Sequence, residues 1–254
     1  VGELGEGVNP VETAVGTISV RAGGAGVSLH ERDDVTVGDT DATVQRVQND
    51  GTVMAVVLSV QSDLVTNADS NGSIVLRTAS GDIVLADGTG SANAQSVNAD
   101  GTGNILVETV GDDTSITVGA DIVSGGGSIS LLSAAGIIMT AEADVTTVGN
   151  GSIDVYAAVG DITLSTDSDQ TANNGDIRLE AAGNVLLGGT ATTEGTVSII
   201  AQTGWIRDGD TDSSVDIQAA EARLNGAVGV GQLGELVNAI ETSVARVSAS
   251  SAAE

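Results

Sequence analysis

The sequence predicts an all-β chain, a parallel β-helix (β-solenoid) with coils of about 24 residues. Three observations carry this. A short strand cue, Gly-polar-Ile/Val-x-Leu/Val, recurs along the chain. The glycines that open it, from Gly72 to Gly195, are separated by 31, 24, 24, 24 and 20 residues. The composition also suits a narrow, layered interior: no Phe, one Trp and one Tyr, but abundant Val, Ile, Leu and Ala.

The cue reads Gly72-Ser73-Ile74-Val75-Leu76, Gly103-Asn104-Ile105-Leu106-Val107 and Gly127-Ser128-Ile129-Ser130-Leu131. It returns as Gly151-Ser152-Ile153-Asp154-Val155, Gly175-Asp176-Ile177-Arg178-Leu179 and Gly195-Thr196-Val197-Ser198-Ile199. Apolar residues two apart share one face of a strand, so Ile153 and Val155 should point inward. A second cue follows eight or nine residues later, as in Gly81-Asp82-Ile83-Val84-Leu85 and Gly160-Asp161-Ile162-Thr163-Leu164. A weaker third segment fills the remainder, as in Ala120–Val123 and Ala143–Thr146. With 35 Gly and a single Pro, corners fall to Gly, Asn and Asp, and Gly125-Gly126-Gly127 reads as one such corner. Asn71, Asn150 and Asn174 stand before corner glycines, where Asn tolerates left-handed backbone and can stack along the axis.

A longer repeat encloses the shorter one. Val1–Val15 returns as Val230–Val244, with ten of fifteen positions identical. The expected organisation is one unit over 1–229, followed by the start of the next over 230–254. Such a unit would hold roughly nine or ten coils, about 45 Å of axis. With no Met at Val1, the chain is expected to be processed or an excerpt.

Two stretches depart from the coil pattern. Asn9-Pro10-Val11-Glu12 offers an N-cap, Pro at the first helical position and Glu at the third, and so predicts one helical turn at the junction between units. The second copy keeps Asn238 and Glu241 but has Ala239 in place of Pro. Thr43–Gln48 and Thr52–Val60 flank Asn49-Asp50-Gly51, a turn signal that predicts a projecting β-hairpin over 43–60. Both faces of that hairpin are fairly apolar, so it is expected to be covered, either by its own solenoid or by a neighbouring chain.

The repeated coils resemble those of filamentous-haemagglutinin-like adhesins over about residues 70–220. The longer unit is similar to repeats of giant bacterial surface proteins of the LEPR-XLL type. That likeness rests on Asn9–Ile18, Gly72-Ser73-Ile74-Val75-Leu76-Arg77-Thr78 and Ala219–Gly229. The resemblance implies a right-handed helix, an extracellular or cell-surface location, many tandem copies and a role in adhesion or matrix building. It carries over no catalytic residue.

Charge and residue types bound the function. The chain carries 35 Asp and Glu against 8 basic residues, all Arg, for a formal charge of −27. Nucleic acid and anionic membrane surfaces both need a basic face, so neither is expected as a partner. No apolar run is long enough for a transmembrane helix. There is no Cys, and the single histidine, His30, sits among Glu31, Asp33 and Asp34, which leaves no zinc set and no nucleophile–base pair. A polysaccharide-cleaving site would need paired carboxylates, for which Asp33-Asp34 and Asp112-Asp113 are the candidates. The lack of Lys and of aromatic residues speaks against it, and no catalytic residue or organic cofactor is expected. The one metal candidate is Asp208, Asp210 and Asp212, three carboxylates at alternate positions as in hard-cation loops, with calcium as the ion. Asp167 and Asp169 form a smaller pair. The expected partners are further copies of the chain stacked end to end, whose open strand edges invite the next unit, and neighbouring chains or cell-surface ligands.

Overall fold

A computed structural model of the chain describes residues 1–4, 9–68, 71–90, 93–141, 143–210, 212–232 and 239–251. Among these, every regular element is a strand and no helix occurs. Each strand cue becomes a strand whose apolar residues alternate between buried and half-exposed, as in Ile129–Ser133 and Ile153–Ala157. Such a strand has no core of its own. It gains one by pairing in parallel with the same strand of the next coil, so that Ile105, Ile129, Ile153 and Ile177 lie in one row.

Three such ladders run along the molecule. Face I contains Leu64–Thr66, Val145–Thr147 and Gln170–Ala172. Face II contains the five- and six-residue strands of the first cue, and face III the three- and four-residue strands of the second, such as Ile83–Leu85, Ile137–Met139 and Ile162–Leu164. Faces I and II merge into one 17-stranded sheet, because the long strand Ile217–Gly226 pairs with Ala191–Thr192 through its first residues and with Thr196–Ala201 through its last. Face III is a separate nine-stranded sheet. All these pairings are parallel, and the stacked sheets are those of a β-solenoid.

The core is a column of layers. On face II, Leu76, Val107, Leu131, Val155, Leu179 and Ile199 follow one another, and on face III Leu85, Val118, Met139, Leu164 and Leu187 do the same. The third inward position of face II changes along the axis. It is Thr78, Thr109 and Ser133 in successive coils, then Ala157, Ala181 and Ala201. The buried hydroxyls are satisfied by the next corner: Thr78 Oγ1 donates to Gly81 O at 2.6 Å and Ser133 Oγ to Gly136 O at 3.0 Å. The corner glycines are required by close approach. A Cβ on Gly127, Gly151 or Gly175 would lie 1.9–2.2 Å from the carbonyl oxygen of the glycine one coil before.

A second set of hydrogen bonds runs along the corners. The side-chain oxygen of the residue before a strand accepts the backbone N–H of its counterpart in the next coil. Between faces I and II the series is Ser73, Asn104, Ser128, Ser152, Asp176 and Thr196, with distances of 2.8–3.1 Å. Before face I, Asp121, Asp144 and Asp169 accept in turn from Asp144, Asp169 and Thr190. Before face III, Asp161 accepts from Asn184, and Asn184 from Trp205. Of Asn71, Asn150 and Asn174, the last two leave the expected stacking to their neighbours Ser152 and Asp176. Of those three only Asn71 has left-handed backbone, and its Oδ1 accepts from Thr102 N.

The helical turn expected at Asn9-Pro10-Val11-Glu12 does not form. Val11–Thr13 is a strand, paired with Leu29–Glu31. A neighbouring strand supplies more backbone partners than one isolated turn can. Asn238, in the second copy, lies outside the described residues. The two copies also sit differently. Val1 meets Gly26 and Ser28, beside the start of a face II strand, and Val11–Thr13 is on face II. Val230 is on face III, and Thr242 begins a strand that continues faces I and II.

Candidate functional site

The hairpin is formed by an outgoing strand, Thr43–Val47, and a returning strand, Val53–Val57, paired antiparallel. Its turn is the one the sequence signals: Gly51 has φ +82°, and its N–H donates to Gln48 O at 3.1 Å. The ladder continues to the base through Leu58 N to Ala42 O and the bridge between Thr40 and Gln61. The base is fastened to the solenoid by Ser19, whose hydroxyl bonds Thr40 Oγ1 at 2.5 Å and whose carbonyl accepts from Gln61 Nε2 at 3.1 Å.

Beyond that base the hairpin is open to solvent on both faces. One face carries Thr43, Gln45, Val47, Val53, Ala55 and Val57, with Val47 69% and Val57 74% exposed. The other carries Val44, Arg46, Met54 and Val56. Its own solenoid does not cover it, so of the two kinds of cover expected for the 43–60 hairpin, the first is absent. Each strand pairs on one side only, which leaves the returning strand with a free edge.

The carboxylates of Asp208, Asp210 and Asp212 are spent on a chain of local turns. Asp208 Oδ1 accepts from Asp210 N at 2.9 Å, Asp210 Oδ1 from Asp212 N at 3.0 Å, and Asp212 Oδ1 from Ser214 N at 2.5 Å. Asp208 differs from the other two. It occupies the face III row in which Leu187 precedes it, so its side chain faces the core and is only 7% exposed. Its Oδ2 has no hydrogen-bond partner. Burial raises its pKa, the Asp210 N–H opposes that, and the charges of Asp210, Glu241 and Asp212 add to the rise. Among the described residues, no three His, Cys, Asp or Glu side chains are grouped so as to hold a metal ion.

Asp216 completes this acidic corner. It is 5% exposed, and its Oδ2 accepts from Glu241 N at 2.8 Å. Burial pushes its pKa up to about 7, with Asp208 and Glu241 contributing by repulsion. The Asp121–Asp144–Asp169 corner follows the same logic. Burial raises Asp144, the N–H of Asp169 opposes the rise, and the charges of Asp121, Asp169 and Asp167 reinforce it. At the spacing of stacked strands, ~4.8 Å, two unit charges repel by about 1 kcal/mol in water and about 3.5 kcal/mol at an effective dielectric of 20. The N–H donated to each carboxylate offsets part of that.

Asp33-Asp34 and Asp112-Asp113 lie on the same corner, between faces II and III, but two coils apart, roughly 10 Å. Asp34 Oδ1 accepts from Asp82 N, Asp33 pairs with Arg32 at 3.1 Å, and Asp113 holds a left-handed turn with φ +61°. His30 is half-buried on the outer side of face II, in the row between Glu12 and Arg77. Glu31 points inward and accepts from Val15 N and Arg32 N. Asp167 has left-handed backbone, and Asp169 belongs to the corner series.

No protein-family model, curated protein or solved structure matches the chain. Sequence reasoning singled out Asp208 but not its burial, and did not single out Asp216. The signal was present for Asp208: Trp205-Ile206-Arg207-Asp208 carries the strand alternation, which places the aspartate two residues after the inward Ile206.

Proposed function

We propose that the chain is a structural repeat unit of an extracellular fibre, matrix or adhesin, built as a right-handed β-helix with coils of about 24 residues and joined end to end with further copies of itself. One observation carries this reading. The strand Thr242–Ser250 begins within the second copy of the recurring segment, Val230–Val244, and pairs in parallel with Ile217–Gly226. The register matches Ala222 to Val247 and Leu224 to Ala249. In this reading the start of one copy extends the ladder of the copy before it. The −27 charge and the side-chain hydrogen bonds along the corners suit a long, soluble rod. Electron microscopy of the full-length material tests the proposal. The expected result is filaments with an axial repeat of about 45 Å per unit, the height of nine or ten stacked coils. Compact, monodisperse particles from a chain of many copies would overturn it.

A further inference from the structure

We propose that the hairpin is a self-association element: its returning strand, Val53–Val57, pairs antiparallel with the same strand of a second copy of this chain, about a two-fold axis at Ala55. The contact is lateral, between hairpins, and does not depend on the end-to-end joining proposed above.

The first argument is the unguarded edge. Val53-Met54-Ala55-Val56-Val57-Leu58-Ser59-Val60 contains no charge, no Pro and no Gly. Exposed edges are normally blunted by such residues, because free N–H and C=O groups template the pairing of another strand. The outgoing strand has such a guard in Arg46; the returning strand has none. A two-stranded hairpin is also marginal by itself in water, and a four-stranded sheet is not.

The second argument is self-complementarity. A two-fold contact requires that the same patch serve both partners. Antiparallel pairing centred on Ala55 sets Val53 opposite Val57 of the second copy and Met54 opposite Val56, so every cross-strand pair is apolar and none is charged.

The third argument is electrostatic. Residues 42–60 carry one positive charge, Arg46, and one negative, Asp50, so the whole −27 resides on the rest of the chain. Two such bodies repel at close range. The paired arms span Thr40 to Gln48, roughly 27 Å along the strand, against a screening length of about 8 Å at physiological ionic strength. Contact through the hairpins keeps the acidic bodies several screening lengths apart. A single contact of this size falls below the ~1,200 Å² of a stable complex, so it is weak in an isolated unit and gains strength through multiple copies.

The chain has no cysteine, which permits a direct test. Under mild oxidation, Ala55→Cys should form a disulfide-linked dimer roughly tenfold faster than Val159→Cys on the exposed solenoid surface, because a residue on the two-fold meets its own copy within disulfide reach. Sedimentation of the unmodified chain should show association that strengthens with added salt as the repulsion between bodies is screened. Ala55→Lys should abolish it, since like charges then stand directly opposite, while circular dichroism stays unchanged because no solenoid core residue is touched. Equal rates of cross-linking in the two cysteine variants would overturn the proposal. So would a strictly monomeric chain whose Val53–Val57 amides are protected from exchange, which would mean the hairpin folds back on its own body.

Discussion

Replacing Asp216 with Asn should stabilise the last coils at alkaline pH. Asn keeps an oxygen to accept the Glu241 N–H and removes the charge that burial disfavours. The native pKa of about 7, against 3.8 for the free side chain, gives a ceiling of about 4 kcal/mol at 1.36 kcal/mol per unit. The protein's own polarisability around the buried charge reduces this to on the order of 2 kcal/mol. The sign follows from the raised pKa. The native state holds its proton more tightly than the unfolded chain, so stability is fully present below pH 3.8 and is lost as pH rises through about 7. At pH 8 the native protein therefore carries the full penalty and Asp216→Asn none. A solenoid opens by segments, so local hydrogen exchange is the appropriate assay. Amides of Thr242–Ser250 should exchange roughly 30-fold more slowly in the variant at pH 8, and the gap should narrow below pH 7 and close near pH 4. Equal or faster exchange in the variant at pH 8 would refute the assignment of Asp216 as a buried, repelled carboxylate.

Other perturbations test the stack itself. Leu131→Ala empties a fully buried layer of face II and should destabilise the central coils by about 2–5 kcal/mol, read by denaturant titration of local exchange. Gly151→Ala places a methyl 2.0 Å from Gly127 O, a backbone atom that cannot move aside, and should yield insoluble protein or a loss of protection between those coils. Ser152→Ala removes the acceptor of the Asp176 N–H and should cost about 1 kcal/mol, with faster exchange at that amide. Arg178→Ala breaks exposed pairs with Asp154 and Glu180, at 2.8 and 2.7 Å, and should change stability by less than about 1 kcal/mol; a larger loss would show that the outer face carries more of the fold than the core argument allows.

Faces II and III were legible in the sequence because their inward positions are apolar and their corners need glycine. Ile129, Ile153 and Ile177 announce one row, and Gly127, Gly151 and Gly175 the corner before it. Face I was legible only as a weak third segment. Its inward positions include Ser124, Thr147 and Gln170, all fully buried yet polar, so alternation of burial there is not alternation of hydropathy. The hairpin was legible through Asn49-Asp50-Gly51, whereas its lack of cover was not, because only the path of the coil decides what lies beside it. The junction shows the opposite failure: Asn9-Pro10-Val11-Glu12 satisfies a local helix rule, and the neighbouring strand Val27–Glu31 overrides it. The burial within the acidic corner was illegible for a related reason. The alternate carboxylates of Asp208, Asp210 and Asp212 suggested convergence, but each accepts an N–H two residues on, and only Asp208 turns inward.

The corner hydrogen bonds between faces I and II form a series that runs in one direction. Ser128 receives the N–H of Ser152, Ser152 that of Asp176, and Asp176 that of Thr196, always from the later coil to the earlier. A chain that emerges N-terminus first therefore leaves, on every completed coil, oxygen atoms already set at the height of the next one. Each arriving segment finds a template that fixes both its backbone register and its corner before any later sequence exists. Growth in the reverse order would bring N–H groups to be met by side chains not yet in place. The rod thus has a built-in polarity of assembly, suited to vectorial folding as the polypeptide is delivered from one end.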